Sequence, residues 1–145
     1  MVKHRYHSNA ELVLRLLFIF LFVYTDYAKL TDHERFLSGL RNVRLIGGGA
    51  GFISWLVPLS EIAVAVLLIL PITARWGLYA FTALMVVFTV YISDVLIGEK
   101  TLPCHCGGVI ESLSWKQHLV FNLVFTGLGI YALRLNHSIN FKLKT

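Results

Sequence analysis

Both cysteines of the chain fall in one short stretch, Pro103-Cys104-His105-Cys106-Gly107-Gly108. Two thiols one residue apart can close into a small, strained ring, and strained disulfides have the higher potentials of labile, catalytic pairs. His105 between them can stabilise a thiolate when protonated, and the thiolate is the attacking species. The rival chemistry is a metal site built from Cys104, His105, Cys106 and His118, although zinc ligands usually follow a Cys-x(2–4)-Cys spacing. A second set of polar residues lies inside apolar sequence. Glu61 stands alone among Val, Leu, Ile and Ala. Trp115, His118 and Asn122 have the i, i+3, i+7 spacing of one helix face. Asp26 and Lys29 are three apart, close enough on a helix to pair with each other, and Asp94 stands near the end of a third apolar run.

The elements that carry these residues follow from composition. The chain has 145 residues, 57 % of them apolar and 14 % charged, with a mean hydropathy of +0.70. Average soluble domains carry about 25 % charged residues. One domain of this size has too few polar groups to cover a water-exposed surface. A soluble enzyme, a disordered tail and a secreted disulfide scaffold are excluded on this ground. A membrane helix needs about 20 mostly apolar residues. Four stretches qualify, at about 11–30, 52–72, 77–97 and 115–135. The expected fold is all-α: one integral-membrane domain over residues 1–145, with four transmembrane helices in an antiparallel bundle. Ser8 with Glu11, and Ser114 with Gln117, have capping-box spacing before the first and fourth runs. Between runs one and two, Phe36, Leu37, Leu40 and Val43 share a helical face, which predicts a short amphipathic helix on the membrane surface. Pro71 to Trp76 is a tight turn that makes runs two and three a helical hairpin. Gly47-Gly48-Gly49-Ala50-Gly51 lacks the Lys-Ser/Thr of a phosphate loop and reads as a flexible entry to run two.

The net charge is +5 and the pI about 9.4, but the basic residues lie outside the apolar runs without interleaved aromatic platforms. They are topology signals, and nucleic acid is not an expected partner. The N-terminus, with Lys3, His4 and Arg5 before an apolar run, has the look of a signal peptide, but no small-x-small site follows, so an uncleaved span is expected. Seven basic residues fall on the side of both termini and six on the other, while Asp26, Asp32, Glu34, Asp94, Glu99 and Glu111 gather on the second side. Both termini are expected in the cytoplasm, and the cysteine loop outside. Glu61 then lies roughly mid-membrane, about nine residues into its run at ~1.5 Å per residue. An ionised group there costs about 2.5–3.5 kcal/mol, so Glu61 must face the interior, be protonated or pair. Asp26, Lys29, Asp94, the cysteines, His118 and Asn122 all fall in the outer half of the bundle.

These residues carry a resemblance. Tyr24-Thr25-Asp26-Tyr27-Ala28-Lys29-Leu30 and Val57-Pro58-Leu59-Ser60-Glu61 resemble the first- and second-span motifs of DoxX-like and MauE-like (methylamine-utilisation) membrane proteins. Cys104-His105-Cys106-Gly107-Gly108 followed by Trp115-Lys116-Gln117-His118-Leu119-Val120-Phe121-Asn122 is similar to the MauE-like branch in bacteria, with Gly107 where a phenylalanine is commoner. The resemblance covers essentially the whole chain. It implies a four-helix protein of the bacterial inner membrane, associated with thiol redox and with maturation of disulfide-rich periplasmic proteins.

The reading that joins residues and resemblance is thiol–disulfide exchange. Cys104 or Cys106 reacts with a periplasmic thioredoxin-like or disulfide-containing partner through a mixed disulfide. Glu61, His118 and Asn122, with Trp115, Asp26 and Lys29 beside them, supply protons or hold a hydrophobic acceptor such as a quinone. The alternatives are a non-enzymatic membrane subunit or assembly factor, with the cysteines as a structural clip, and a small metal- or solute-handling protein.

Overall fold

Glu11, Arg15, Phe18, Phe22, Asp26 and Lys29 recur at spacings of three and four, so they form one stripe along a helix. That stripe is charged at both ends and aromatic in the middle, and the intervening positions are apolar except Thr25. In the computed structural model, which describes residues 2–43, 46–98 and 114–144, helix α1 (Val2–Thr31) turns the stripe inward. Glu11, Phe18, Phe22, Asp26 and Lys29 are buried, while Val13, Leu16, Phe20, Val23 and Tyr27 point outward.

The remaining elements are α2 (His33–Arg41), a 3-10 turn at Gly47–Gly49, α3 (Ala50–Ile69), α4 (Ala74–Gly98) and α5 (Trp115–Lys144). Among the described residues all regular structure is helical. Helix α1 packs on α3 and α5, and α4 also packs on α3 and α5, so the four long helices close a ring. Its core is Phe18, Phe22, Val64, Leu68, Leu78, Phe81, Met85 and Ala132, drawn from all four. Phe18 stacks on Phe81 with ring centroids 4.0 Å apart.

Three helical segments are long and apolar enough to cross a bilayer: Gly47–Ile69, Ala74–Gly98 and Lys116–Ser138. The expectation of four is met only in part. Helix α1 is long enough at 30 residues, but Arg15, Asp26 and Lys29 interrupt its apolar run. The helix also begins at Val2. Ser8 and Glu11 therefore lie within it, and the expected capping box before the first run does not form a helix start. The second box does form. The Ser114 backbone N–H donates to Gln117 Oε1 at 2.9 Å, and the Gln117 N–H donates to Ser114 Oγ at 3.4 Å.

Helix α2 lies on α3, with Phe36 and Leu40 packed against Ala50 and beside Leu37, Ile53 and Val57. Val43, just beyond α2, packs with Ile92 and Val95 of α4. The apolar face expected on a membrane surface is thus spent on the bundle itself. The glycine-rich entry to α3 is a 3-10 turn rather than a flexible tether. The hairpin between α3 and α4 depends on Gly77: a Cβ there would sit 2.9 Å from the Leu68 backbone nitrogen and 3.0 Å from the Leu67 carbonyl carbon. Gly129 meets α4 in a similar way through Thr82, whereas a Cβ on Gly127 has open space.

Gly77→Ala should therefore lower stability by about 1–3 kcal/mol, because backbone cannot move aside as a side chain can. Gly127→Ala should raise it by about 0.5–1 kcal/mol through helix entropy alone. Thermal unfolding of the two variants in detergent checks this; equal effects of the same sign would refute the close α3–α4 approach.

Candidate functional site

A lysine and a glutamate in an apolar bundle must meet or be excluded from it. The last turns of α1 carry Asp26 and Lys29, and the middle of α3 carries Glu61, which is 1 % exposed. Lys29 Nζ donates to both carboxylate oxygens of Glu61, at 2.7 Å and 2.6 Å. The pairing is across helices, not along α1. The expected Asp26–Lys29 pair does not form, because Glu61 offers Lys29 two oxygens inside the bundle. Instead both Asp26 oxygens are buried without a hydrogen-bond partner among the described residues. The Asp26 carboxyl nonetheless lies within electrostatic reach of Glu61 and Lys29. Two acids and one base share the spot, a set able to take up or release a proton.

The lysine is further seated by two ring faces, with Nζ 5.8 Å from the Phe36 centroid and 5.6 Å from that of Phe88. Cation–π contacts of this kind gain strength when desolvated. Opposite the pair, the first turns of α5 bring in His118 and Asn122, 8 % and 3 % exposed. His118 Nδ1 and Asn122 Nδ2 are buried and unpartnered among the described residues. The Ser114–Gln117 box that starts α5 fixes where both residues enter.

Apart from Asp26, these charged and polar side chains border a cavity of about 520 Å³. Lys29, Glu61, Ser60, His118 and Asn122 supply its polar wall, and Phe22, Phe36, Phe88, Tyr91 and Phe121 much of the apolar remainder. Its volume is in the range of pockets that hold small organic ligands. Helix α2 contributes Phe36 and Leu40 to the lining. Helix α2 is anchored by His33, whose ring lies 4.4 Å from that of Trp55 and whose Nε2 is 3.5 Å from Ser54 Oγ. Pro58 has no N–H to give the Ser54 carbonyl, yet α3 runs through it unbroken.

Of the residues singled out by the sequence, Asp26, Lys29, Glu61, His118 and Asn122 are brought to one place. Asp94 is exposed and takes no part. Trp115 opens α5, but its side chain is not among those described. Cys104, His105 and Cys106 lie outside the described residues, in the segment 99–113. Among the described residues no three His, Cys, Asp or Glu side chains gather as a metal site. Sequence reasoning missed a second polar tie at the other end of the ring. Arg15 donates to the Leu68 carbonyl through Nε at 3.1 Å and Nη2 at 2.5 Å. Glu11 lies 3.9 Å from Arg15 and accepts from Asn136 Nδ2 at 3.2 Å. The i, i+4 spacing of Glu11 and Arg15 was the available signal.

Apolar residues outside, an ion pair and unpartnered polar groups inside, and three helices able to cross a bilayer define a multi-pass membrane protein. The sequence profile described as "Methylamine utilisation protein MauE" matches residues 8–135, and the chain belongs to that family. It is 34 % identical over 121 residues to methylamine utilization protein MauE of Paracoccus denitrificans, covering 81 % of this chain and 64 % of that one. It is 32 % identical over 106 residues to the protein of the same name from Methylorubrum extorquens, covering 70 % and 57 %. The chain thus spans less than two thirds of the length of these relatives. No solved structure matches it.

Lys29→Met strands two buried acids and should cost about 3–5 kcal/mol of stability. Glu61→Leu should cost less, because Asp26 stands three residues from Lys29 and can take over its ammonium. Lys29→Met/Glu61→Leu should be more stable than Lys29→Met alone. Chemical denaturation of the three variants in detergent measures this, and a double variant no better than Lys29→Met would show that the pair is not the unit described.

Proposed function

We propose that this chain is a four-span thiol–disulfide relay of the bacterial inner membrane, with α1 as the first span. Support for α1 crossing comes from its stripe: Asp26 and Lys29 are buried, and Arg15 bonds inward to α3, so its lipid-facing positions are apolar. Both termini are placed in the cytoplasm, and Cys104 and Cys106 on the periplasmic side.

In the oxidising direction a thiolate of a thioredoxin-like partner attacks the Cys104–Cys106 disulfide. A mixed disulfide forms and one cysteine leaves as thiolate. The partner's second thiol resolves it, so the partner ends as a disulfide and Cys104 and Cys106 as thiols. Returning them to a disulfide releases two electrons and two protons. Both pass to a hydrophobic acceptor of the quinone class, which becomes a quinol. Asp26, Glu61 and His118 hold or move the protons, and Lys29 and Asn122 orient the acceptor. By analogy with the relatives' names, the partner would belong to methylamine utilisation.

One observation carries this reading. His118 enters the cavity four residues after Ser114, where the described chain resumes beyond the cysteine segment. Gly98, at the other end of that segment, lies six residues past Ile92, which also lines the cavity. Both ends of the cysteine-bearing segment therefore leave the bundle at the end that holds the polar cluster.

Trapping tests the reading. Cys106→Ala, or else Cys104→Ala, should accumulate a mixed disulfide with a periplasmic protein, visible as a reducible adduct on non-reducing gels. If neither variant forms an adduct, and the double variant supports normal growth on methylamine, the relay is wrong.

A further inference from the structure

Two residues that line the cavity are also exposed on the outer face of the ring: Leu56 of α3 at 48 % and Val87 of α4 at 58 %. Leu56 lies fourteen residues before Leu70 and Val87 fourteen after Thr73, the two ends of the hairpin turn. At ~1.5 Å per residue both are roughly 21 Å from that turn, hence at the same level. Near the turn the two helices are held tightly together by Gly77. At the level of Leu56 and Val87 both helices line the cavity with residues that are also exposed, so the cavity reaches the apolar outer face there. Toward α2 the cavity is lined by Phe36, Leu40 and Ile46.

We infer that a lipid-soluble carbonyl ring enters this cavity sideways, from the bilayer, through a portal between α3 and α4 at Leu56 and Val87. It seats its oxygen on Asn122 and Lys29. The inference rests on the acceptor site proposed above and adds the route by which its ligand enters and the side chains that seat its oxygen. The polar wall selects the oxygen. Asn122 Nδ2 is a buried donor without a partner among the described residues. Lys29 gives Glu61 two contacts, and an ammonium has three protons to give. A donor wall of this kind calls for an acceptor oxygen, and an anion would face the Glu61 carboxylate. The apolar wall selects the ring: Phe22, Phe36, Phe88, Tyr91 and Phe121 offer faces and edges to a flat molecule, which an acyl chain does not exploit. Such a compound partitions into lipid, so a lateral door suits it and an aqueous one does not.

The test uses the full chain in lipid nanodiscs, with Cys104→Ala/Cys106→Ala as background so that binding is read apart from thiol chemistry. Radiolabelled decylubiquinone is the probe. It should bind saturably. Leu56→Trp/Val87→Trp should slow its association by about tenfold, at the lower end of the spread of association rates among variants of one site, with the unfolding midpoint unchanged. Asn122→Leu should weaken equilibrium binding by about fivefold, the loss of one hydrogen bond, chiefly through faster release. No saturable binding, an association rate indifferent to the two tryptophans, or a cavity filled only by phospholipid that decylubiquinone does not displace would each overturn the inference. Binding slowed by the two tryptophans, without any trapped mixed disulfide, supports the portal and counts against the thiol relay. Trapping without binding does the reverse.

Discussion

The buried contact between Lys29 and Glu61 is the constraint on which the rest of the arrangement turns. An ammonium and a carboxylate taken from water lose several kcal/mol of solvation each, and only close geometry with further contacts offsets that loss. The geometry sets the register of α1 against α3. It also draws Phe36 and Phe88 over the ammonium, which ties the position of α2 and α4 to the same charge. Asp26 then remains in the same volume, within electrostatic reach of both, with its oxygens unpartnered among the described residues. At the other end of α1 the Arg15 contact to the Leu68 carbonyl acts differently. It satisfies one of the carbonyls left open where α3 ends and complements the negative end of the helix. One helix thus carries two charged anchors with an aromatic core between them.

The distribution of polarity explains why a protein with so few charges buries so many of them. In water, a bundle would put Asp26, Lys29, Glu61, His118 and Asn122 on its surface and Phe20, Leu59 and Val90 inside. Here the reverse holds. The outward residues meet a solvent that offers no hydrogen bonds, so every polar group must find its partner within the ring or at a ligand. Among the described residues that demand is unmet at Asp26 and His33 and, at the edge of a cavity lined mainly by apolar side chains, at His118 and Asn122.

Much of this was legible in the chain before any coordinates. The helical hairpin followed from two apolar runs around Pro71, and the start of α5 from the reciprocal spacing of Ser114 and Gln117. Glu61, His118 and Asn122 were legible because a polar residue deep in an apolar run has few tolerable positions. What could not be read was partner choice. Lys29 has an acid three residues away and another thirty-two residues away, and local spacing favours the near one. The distant one wins because packing of α1 on α3 places both Glu61 oxygens within reach, and no local pattern encodes that. The capping box at Ser8 and Glu11 failed for a related reason: Glu11 faces Arg15 and Asn136 inside the ring, and the helix simply continues through it to Val2. At α1 the apolar run and the charges within it point opposite ways, since a stripe of charges hidden inside a bundle is indistinguishable, in composition, from charges on a surface.

The family placement and the site describe two halves of one account: a polar cluster beneath one end of the ring, and a cysteine pair in the segment that leaves from that end. Their connection is the central claim. It is tested most directly by mixing the fully reduced chain, in bilayers and without oxygen, with decylubiquinone, and counting thiols and quinol together. The account predicts that both thiols disappear as quinol forms, one quinol for each cysteine pair, since disulfide formation is a two-electron step. Thiols that persist beside unreduced quinone would contradict it.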